Sequence, residues 1–202
     1  AGTYNVTITD QKGCFKDTSV IVLEPDALLI ASMSMDSASC KGVADGTATA
    51  NGITGGNGIN SFSWNTTPLQ TTNPAIGLAA GNYTITVTDQ KGCFTTRDTT
   101  VLEPLLLVID TTFQDSVSCN GLFDGTASVV ASGGNGIYSY LWSDGQTTAT
   151  ASNLTAGTYN VTITDQKGCF KDTSVIVLEP DALLIASMSM DSASCNGVAD
   201  GT

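Results

Sequence analysis

Residues 156–202 repeat residues 1–47 at every position but one, Asn196 standing where Lys41 stands. A chain that copies itself this closely must fold as an array of like units, so the repeat is read before any single element. Two cysteine classes mark its period. One follows a Lys-Gly turn, at Cys14, Cys93 and Cys169; the other follows Ser, at Cys40, Cys119 and Cys195. Both classes advance by 79 and then 76 residues, so unlike domains alternate in a 155-residue unit. The expected divisions are a hairpin closing one domain at residues 1–25, complete domains at 26–104 and 105–180, and the opening of a further domain at 181–202. The piece reads as a window on a longer array.

Each repeat contains one recognisable hairpin. Tyr159, Val161 and Ile163 alternate with Thr158, Asn160, Thr162 and Thr164, the period of a strand with one buried face. Asp165-Gln166-Lys167-Gly168 supplies turn chemistry, and Val175-Ile176-Val177 returns before Pro180 ends the strand. Residues 1–25 carry the same text, and residues 80–104 a variant with Ile85 and Val87. Further short strands are expected at 28–35, 47–53 and 61–65, and again at 106–112, 126–131, 138–142 and 147–153; residues 66–75, with Pro68 and Pro74, read as an irregular connection or edge strand, and 76–80 lead into the hairpin. Gly-rich turns separate them, at Gly55-Gly56-Asn57-Gly58 and Gly133-Gly134-Asn135-Gly136. No stretch keeps a helical period. Regular short strands with intervening turns predict an antiparallel sandwich. Trp64 and Trp142 stand where a central core tryptophan belongs. Leu78 to Tyr83 and Leu154 to Tyr159 resemble a tyrosine corner.

The chain carries 19 acidic and 7 basic residues and no histidine, for a formal net charge of −12. Nucleic acid is excluded as a partner, because phosphate binding needs Lys/Arg clusters. No apolar run reaches the ~18 residues of a membrane span, so direct membrane insertion is not expected. Catalysis finds no support: there is no histidine base, no Cys-His pair, no nucleophile elbow and no phosphate loop. No cofactor is expected. The acidic residues are scattered, as in Asp45-Gly46 and Asp89-Gln90, and read as turn formers rather than calcium ligands.

Taken together, several motifs resemble the SprB repeat: Ser118-Cys119-Asn120-Gly121, Asp124-Gly125-Thr126-Ala127, Gly133-Gly134, Tyr138-x-Tyr140-x-Trp142-Ser143-x-Gly145, Leu154-x-Ala156-Gly157-Thr158-Tyr159 and Thr164-Asp165-x-x-Gly168-Cys169. The first domain departs from that pattern at Phe62-Ser63-Trp64-Asn65-Thr66-Thr67-Pro68, in a surface loop. The resemblance implies tandem immunoglobulin-like (PKD-like) antiparallel β-sandwiches arranged head to tail. It also implies the stalk of a very large surface adhesin or filament of Bacteroidota. Such proteins serve gliding or attachment, are exported by the type IX system and are held outside the outer membrane. Its partners would be neighbouring repeats and other copies in a filament, with an adhesive ligand unidentified. The alternative is a carbohydrate- or ice-binding module, using Thr-rich faces such as Thr3, Thr7 and Thr9 or the loops beside Trp64.

In an immunoglobulin-like topology the two cysteine classes lie at opposite ends of a sandwich, roughly 25 Å apart. A disulfide needs Cα atoms within about 7 Å. Head-to-tail stacking favours an inter-domain bond between Cys40 and Cys169, with Cys14, Cys93, Cys119 and Cys195 paired outside this window. Two alternatives stay open: intra-domain pairs of Cys40 with Cys93 and Cys119 with Cys169, or free thiols. Ser37, Ser116 and Ser192, with Thr99 and Thr111, fit an Asp-(Ser/Thr)-small pattern that resembles the O-glycosylation signal of Bacteroidota. An Asx or ST turn explains the same residues. The Glu-Pro pairs at Glu24, Glu103 and Glu179 mark domain joints, where proline restricts hinge motion.

Overall fold

The computed structural model describes residues 1–192 and 194–199; Ala193, in the third Asp-Ser-Ala motif, and residues 200–202 lie outside the described residues. Every element is a β-strand. The chain divides into two compact units, Ala1–Leu106 and Leu107–Thr202.

The first unit opens with the hairpin β1 (Gly2–Thr9) and β2 (Phe15–Val22), a two-stranded sheet of its own. A six-stranded sandwich follows: β3 (Leu29–Asp36), β4 (Gly46–Thr54), β5 (Ser61–Trp64), β6 (Ala75–Leu78), β7 (Gly81–Thr88) and β8 (Phe94–Val101). One sheet has the order β3-β4-β6 and the other β5-β7-β8. The chain crosses between sheets after β4, β5 and β6. That is the alternation of an immunoglobulin-type sandwich, with its inner faces packed into one core. The second unit repeats the plan with β9 (Leu105–Asp115), β10 (Gly125–Gly134), β11 (Ser139–Trp142), β12 (Thr150–Leu154), β13 (Gly157–Thr164) and β14 (Phe170–Val177). Its sheets run β9-β10-β12 and β11-β13-β14. The pairs β1–β2, β3–β4, β4–β6, β5–β7, β7–β8, β10–β12, β11–β13 and β13–β14 are antiparallel. The protein is therefore all-β and immunoglobulin-like in both units.

Period-2 alternation selects the core. Ala48 and Ala50 of β4, Trp64, Ile85 and Val87 of β7, and Val101 are all buried in the first sandwich. Ala127, Val129, Trp142, Val161, Ile163, Val175 and Val177 fill the second. Each tryptophan is enclosed and keeps its indole N–H satisfied: Trp64 Nε1 donates to the Thr72 carbonyl at 2.9 Å and Trp142 Nε1 to that of Thr148 at 2.8 Å. The tyrosine corners form as read. Tyr83 donates its hydroxyl to the Ala79 carbonyl (3.0 Å) and Tyr159 to that of Thr155 (3.1 Å).

The residues after Pro180 behave differently from their copy. Residues 183–190, identical to the β3 region, form no strand, and Leu183, Leu184, Ile185, Met188 and Met190 stand fully or almost fully exposed. In the first sandwich β3 is held by a seven-pair ladder with β4. No strand pairs with 183–190 among the described residues, and an unpaired edge has no ladder to hold it extended.

Candidate functional site

The chemistry-bearing residues collect at the two ends of each sandwich, around the two cysteine classes. At one end the turn before Cys93 or Cys169 is tied to the Gly-Gly-Asn-Gly loop by a single buried carboxylate. Asp165 Oδ1 accepts the backbone N–H groups of Lys167 (2.9 Å) and Cys169 (3.0 Å). Its Oδ2 accepts the Asn135 backbone N–H (2.7 Å) and side-chain amide (2.9 Å). Asp89 makes the same four bonds, to Lys91, Cys93 and Asn57 twice. Burial works against ionisation of both carboxyls. The asparagine and backbone donors outweigh it and hold each below its ordinary value. The loop must come close to do this. At Gly134, with φ of +58°, an added Cβ would stand 2.6 Å from Asp165 Oδ2, so only glycine fits. In the first sandwich this end lies beside the start of the domain: Gly56 N–H donates to the Asp26 carbonyl at 2.9 Å.

At the opposite end the loop bearing Cys40 or Cys119 is strapped to the end of the same sandwich's last strand. Ala38 N–H donates to the Leu102 carbonyl (2.9 Å) and Val117 N–H to that of Leu178 (3.0 Å). The glutamate of each Glu-Pro pair then clamps the loop. Glu103 accepts the Gly42 N–H at 2.8 Å and pairs with the Lys41 ammonium. Glu179 accepts the Gly121 N–H at 3.2 Å, and Asn120 reaches the Pro180 carbonyl. The Lys41 hydrogen bond, then the Gly42 N–H, hold the Glu103 carboxyl below its usual range. Asp45 and Asp124 close the loop from its far side, accepting the N–H of Ser39 (2.8 Å) and Ser118 (3.0 Å). These glutamates read from sequence only as joint markers. Their carboxylates fasten a cysteine loop, and the shared register of Glu103 and Glu179 with Cys-x-Gly was the available signal.

Two of the six cysteines, Cys40 and Cys169, are disulfide-bonded, while Cys14, Cys93, Cys119 and Cys195 are exposed thiols. Neither intra-sandwich pair is therefore formed: Cys93, the intra-domain candidate partner of Cys40, and Cys119, that of Cys169, both remain reduced.

Ser37, Ser116, Ser192 and Thr111 are exposed, and Thr99 is partly so. The Asp-Ser-small pattern also has a structural use. Asp36 and Asp115 accept the hydroxyls of Thr47 and Thr126 across the ladder, and the third residue, Ala38 or Val117, is buried. Three threonines of the strand faces are likewise engaged: Thr7, Thr84 and Thr162 donate to Asp17, Asp98 and Asp172 at 2.6–2.7 Å. Trp64 offers no open face to a ligand, being fully buried. A shallow cleft beside it is lined by Thr66, Pro68, Gln70, Leu78 and Tyr83. Gln70 and Gln146, not singled out from sequence, bracket the strand that follows. Each donates to and accepts from one backbone residue six positions on, Ile76 or Ser152. No group of three or more His, Cys, Asp or Glu side chains suited to a metal occurs among the described residues.

The family model of the SprB repeat matches residues 111–147. That stretch contains Cys119, Asp124, the Gly-Gly-Asn-Gly loop and Trp142. No curated protein matches the chain. A solved structure of the amphioxus IgVJ-C2 molecule superposes with a TM-score of 0.29 at 15% identity, covering 59% of this chain and 88% of that one. Repeats of the SprB kind belong to cell-surface, extracellular adhesin-type regions and, like immunoglobulin-type sandwiches, are typically structural modules rather than enzymes. No helix among the described residues is long and apolar enough to cross a membrane. Residues 111–147, within the second immunoglobulin-like sandwich, are thus similar to the SprB repeat.

Proposed function

We propose that this chain is a spacer: a run of tandem sandwiches, bounded at residues 26–104 and 105–180, in the stalk of a surface adhesin or filament serving attachment or gliding. One observation carries the reading. The polar residues that recur at the same register in both sandwiches are consumed inside the fold. Asp89 and Asp165, Gln70 and Gln146, and Glu103 and Glu179 bind their own sandwich's backbone, and the side-chain amides of Asn57 and Asn135 donate to Asp89 and Asp165. A binding or catalytic module would repeat polar groups aimed outward. Type IX export, attachment outside the outer membrane and O-glycosylation at Ser37, Ser116, Ser192, Thr99 and Thr111 belong to the same proposal. So does a bond between Cys40 and Cys169 that joins consecutive sandwiches, the remaining cysteines pairing with repeats beyond these residues.

Two measurements test it. Non-reducing peptide mapping is expected to yield a cross-link between the Cys40 and Cys169 peptides. A glycan array and an ice-recrystallisation assay are expected to show no saturable binding. Saturable binding that disappears when Thr84 and Thr162 become valine would replace the spacer with the binding module.

A further inference from the structure

The spacing of the cysteines contains a regularity that the repeat length does not. Each turn-class cysteine precedes the next loop-class cysteine by 26 positions: Cys14 to Cys40, Cys93 to Cys119, Cys169 to Cys195. The return intervals differ, 53 positions from Cys40 to Cys93 and 50 from Cys119 to Cys169. The whole three-residue difference between the two kinds of domain therefore falls between a loop-class cysteine and the next turn-class one. In two of its three copies the constant segment is mostly strand; in the third, β14 (Phe170–Val177) is its strand among the described residues. Between Cys93 and Cys119 only residues 102–104 and 116–118 lie outside β8 and β9. Between Cys14 and Cys40 the strands are β2 and β3. A strand rises ~3.3 Å per residue, close to the covalent limit of ~3.3–3.6 Å, so β2, β3, β8 and β9 have little slack within them.

We propose that the array carries two covalent rails, each a succession of these Cys-to-Cys segments joined by disulfides, and that tension passes along the rails while the intervening 50-odd residues of each sandwich are bypassed. This rests on the bond between Cys40 and Cys169 proposed above. One rail then runs Cys14 to Cys40, across the disulfide to Cys169, and on to Cys195. The other contains Cys93 to Cys119 and is offset by one domain. The exposed thiols of Cys93 and Cys119 are its open links. Each occupies the place in its sandwich that a disulfide-bonded cysteine occupies in the other: Cys93 matches Cys169, and Cys119 matches Cys40. Both places are rigidly held, by Asp89 for Cys93 and by the Glu179 clamp for the Cys119 loop. Every link joins a loop-class to a turn-class cysteine, because those two classes mark the closing and opening ends of a sandwich. Each link forms by oxidation of two thiols. Two electrons and two protons pass to the disulfide of a thiol oxidant in the export compartment, which leaves as a dithiol.

Mapping of the intact exported protein separates the rails from the single joint. The Cys93 peptide, residues 92–97, is expected cross-linked to a loop-class peptide, and Cys119 to a turn-class peptide. Cys93 and Cys119 recovered as thiols beside a Cys40 to Cys169 cross-link would overturn the rails and leave the joint standing. Cys40 linked to Cys93 would overturn both. A pulling experiment tests the mechanics on this chain, with handles on Cys14 and Cys195 in the Cys93→Ser, Cys119→Ser variant. The oxidised chain should stretch without an unfolding step to a limit of roughly 180 Å, and a reductant should raise that limit to roughly 630 Å. An unfolding step before reduction would overturn the proposal that the rails carry the tension.

Discussion

The hairpins β1–β2 and β13–β14 have the same sequence and the same register, and different fates. Gly2 faces Val22 and Thr9 faces Phe15 in one; Gly157 faces Val177 and Thr164 faces Phe170 in the other. In β13–β14, Val161 is 1% and Ile163 0% exposed; their copies Val6 and Ile8 are 47% and 65% exposed. Asp165 gathers four donors, while its copy Asp10 holds only the N–H groups of Lys12 and Cys14 among the bonds observed. Strand alternation and an Asx turn suffice to close a hairpin. Whether its apolar face contributes stability depends on a second sheet.

The comparison can be broken at its core first. Trp142→Ala should cost the second sandwich about 3–5 kcal/mol and Ile163→Ala about 2–5 kcal/mol in denaturant unfolding. Ile8→Ala should stay within about 0.5 kcal/mol. Equal effects at Ile8 and Ile163 would mean that the hairpin's stability is local. A smaller contrast lies at the tyrosine corner. Tyr159→Phe should cost about 1 kcal/mol through the lost bond to Thr155, and Tyr4→Phe almost nothing.

The smallest effect is pH-dependent. The carboxyls of Asp89 and Asp165 are held below their ordinary value of 3.8 in the folded chain. Their contribution is therefore complete above about pH 5 and is lost progressively as pH falls through 3.8 and on through the lowered folded values. Melting temperature should drop in that window, and Asp165→Asn should flatten the drop. Asp10→Asn should leave the profile unchanged. A profile equally steep with Asp165→Asn in place would assign acid sensitivity elsewhere.

Much of the fold was legible because its signals are short-ranged. Alternation at Tyr159, Val161 and Ile163, turn residues at Asp165 to Gly168 and the spacing from Leu154 to Tyr159 each act within a few residues. The strands around them fall close to where the pattern put them. The ends of the sandwiches were less legible. Asp165 read as a turn former, which it is, but its bonds to Asn135 join loops 30 positions apart. Glu103 meets Gly42 across 61 positions. No local pattern encodes those meetings; only the return of both partners at one register in the next repeat hints at them.

Local sequence settled the hairpins, their registers and the period of the cysteines, because backbone sterics and side-chain alternation act between neighbours along the chain. Only tertiary structure decided which copy of a given stretch would be buried. Residues 28–35 became part of a sandwich and residues 183–190, with the same sequence, did not. The reason is that β-structure draws its hydrogen bonds and its burial from other strands, and those partners lie far away in the chain.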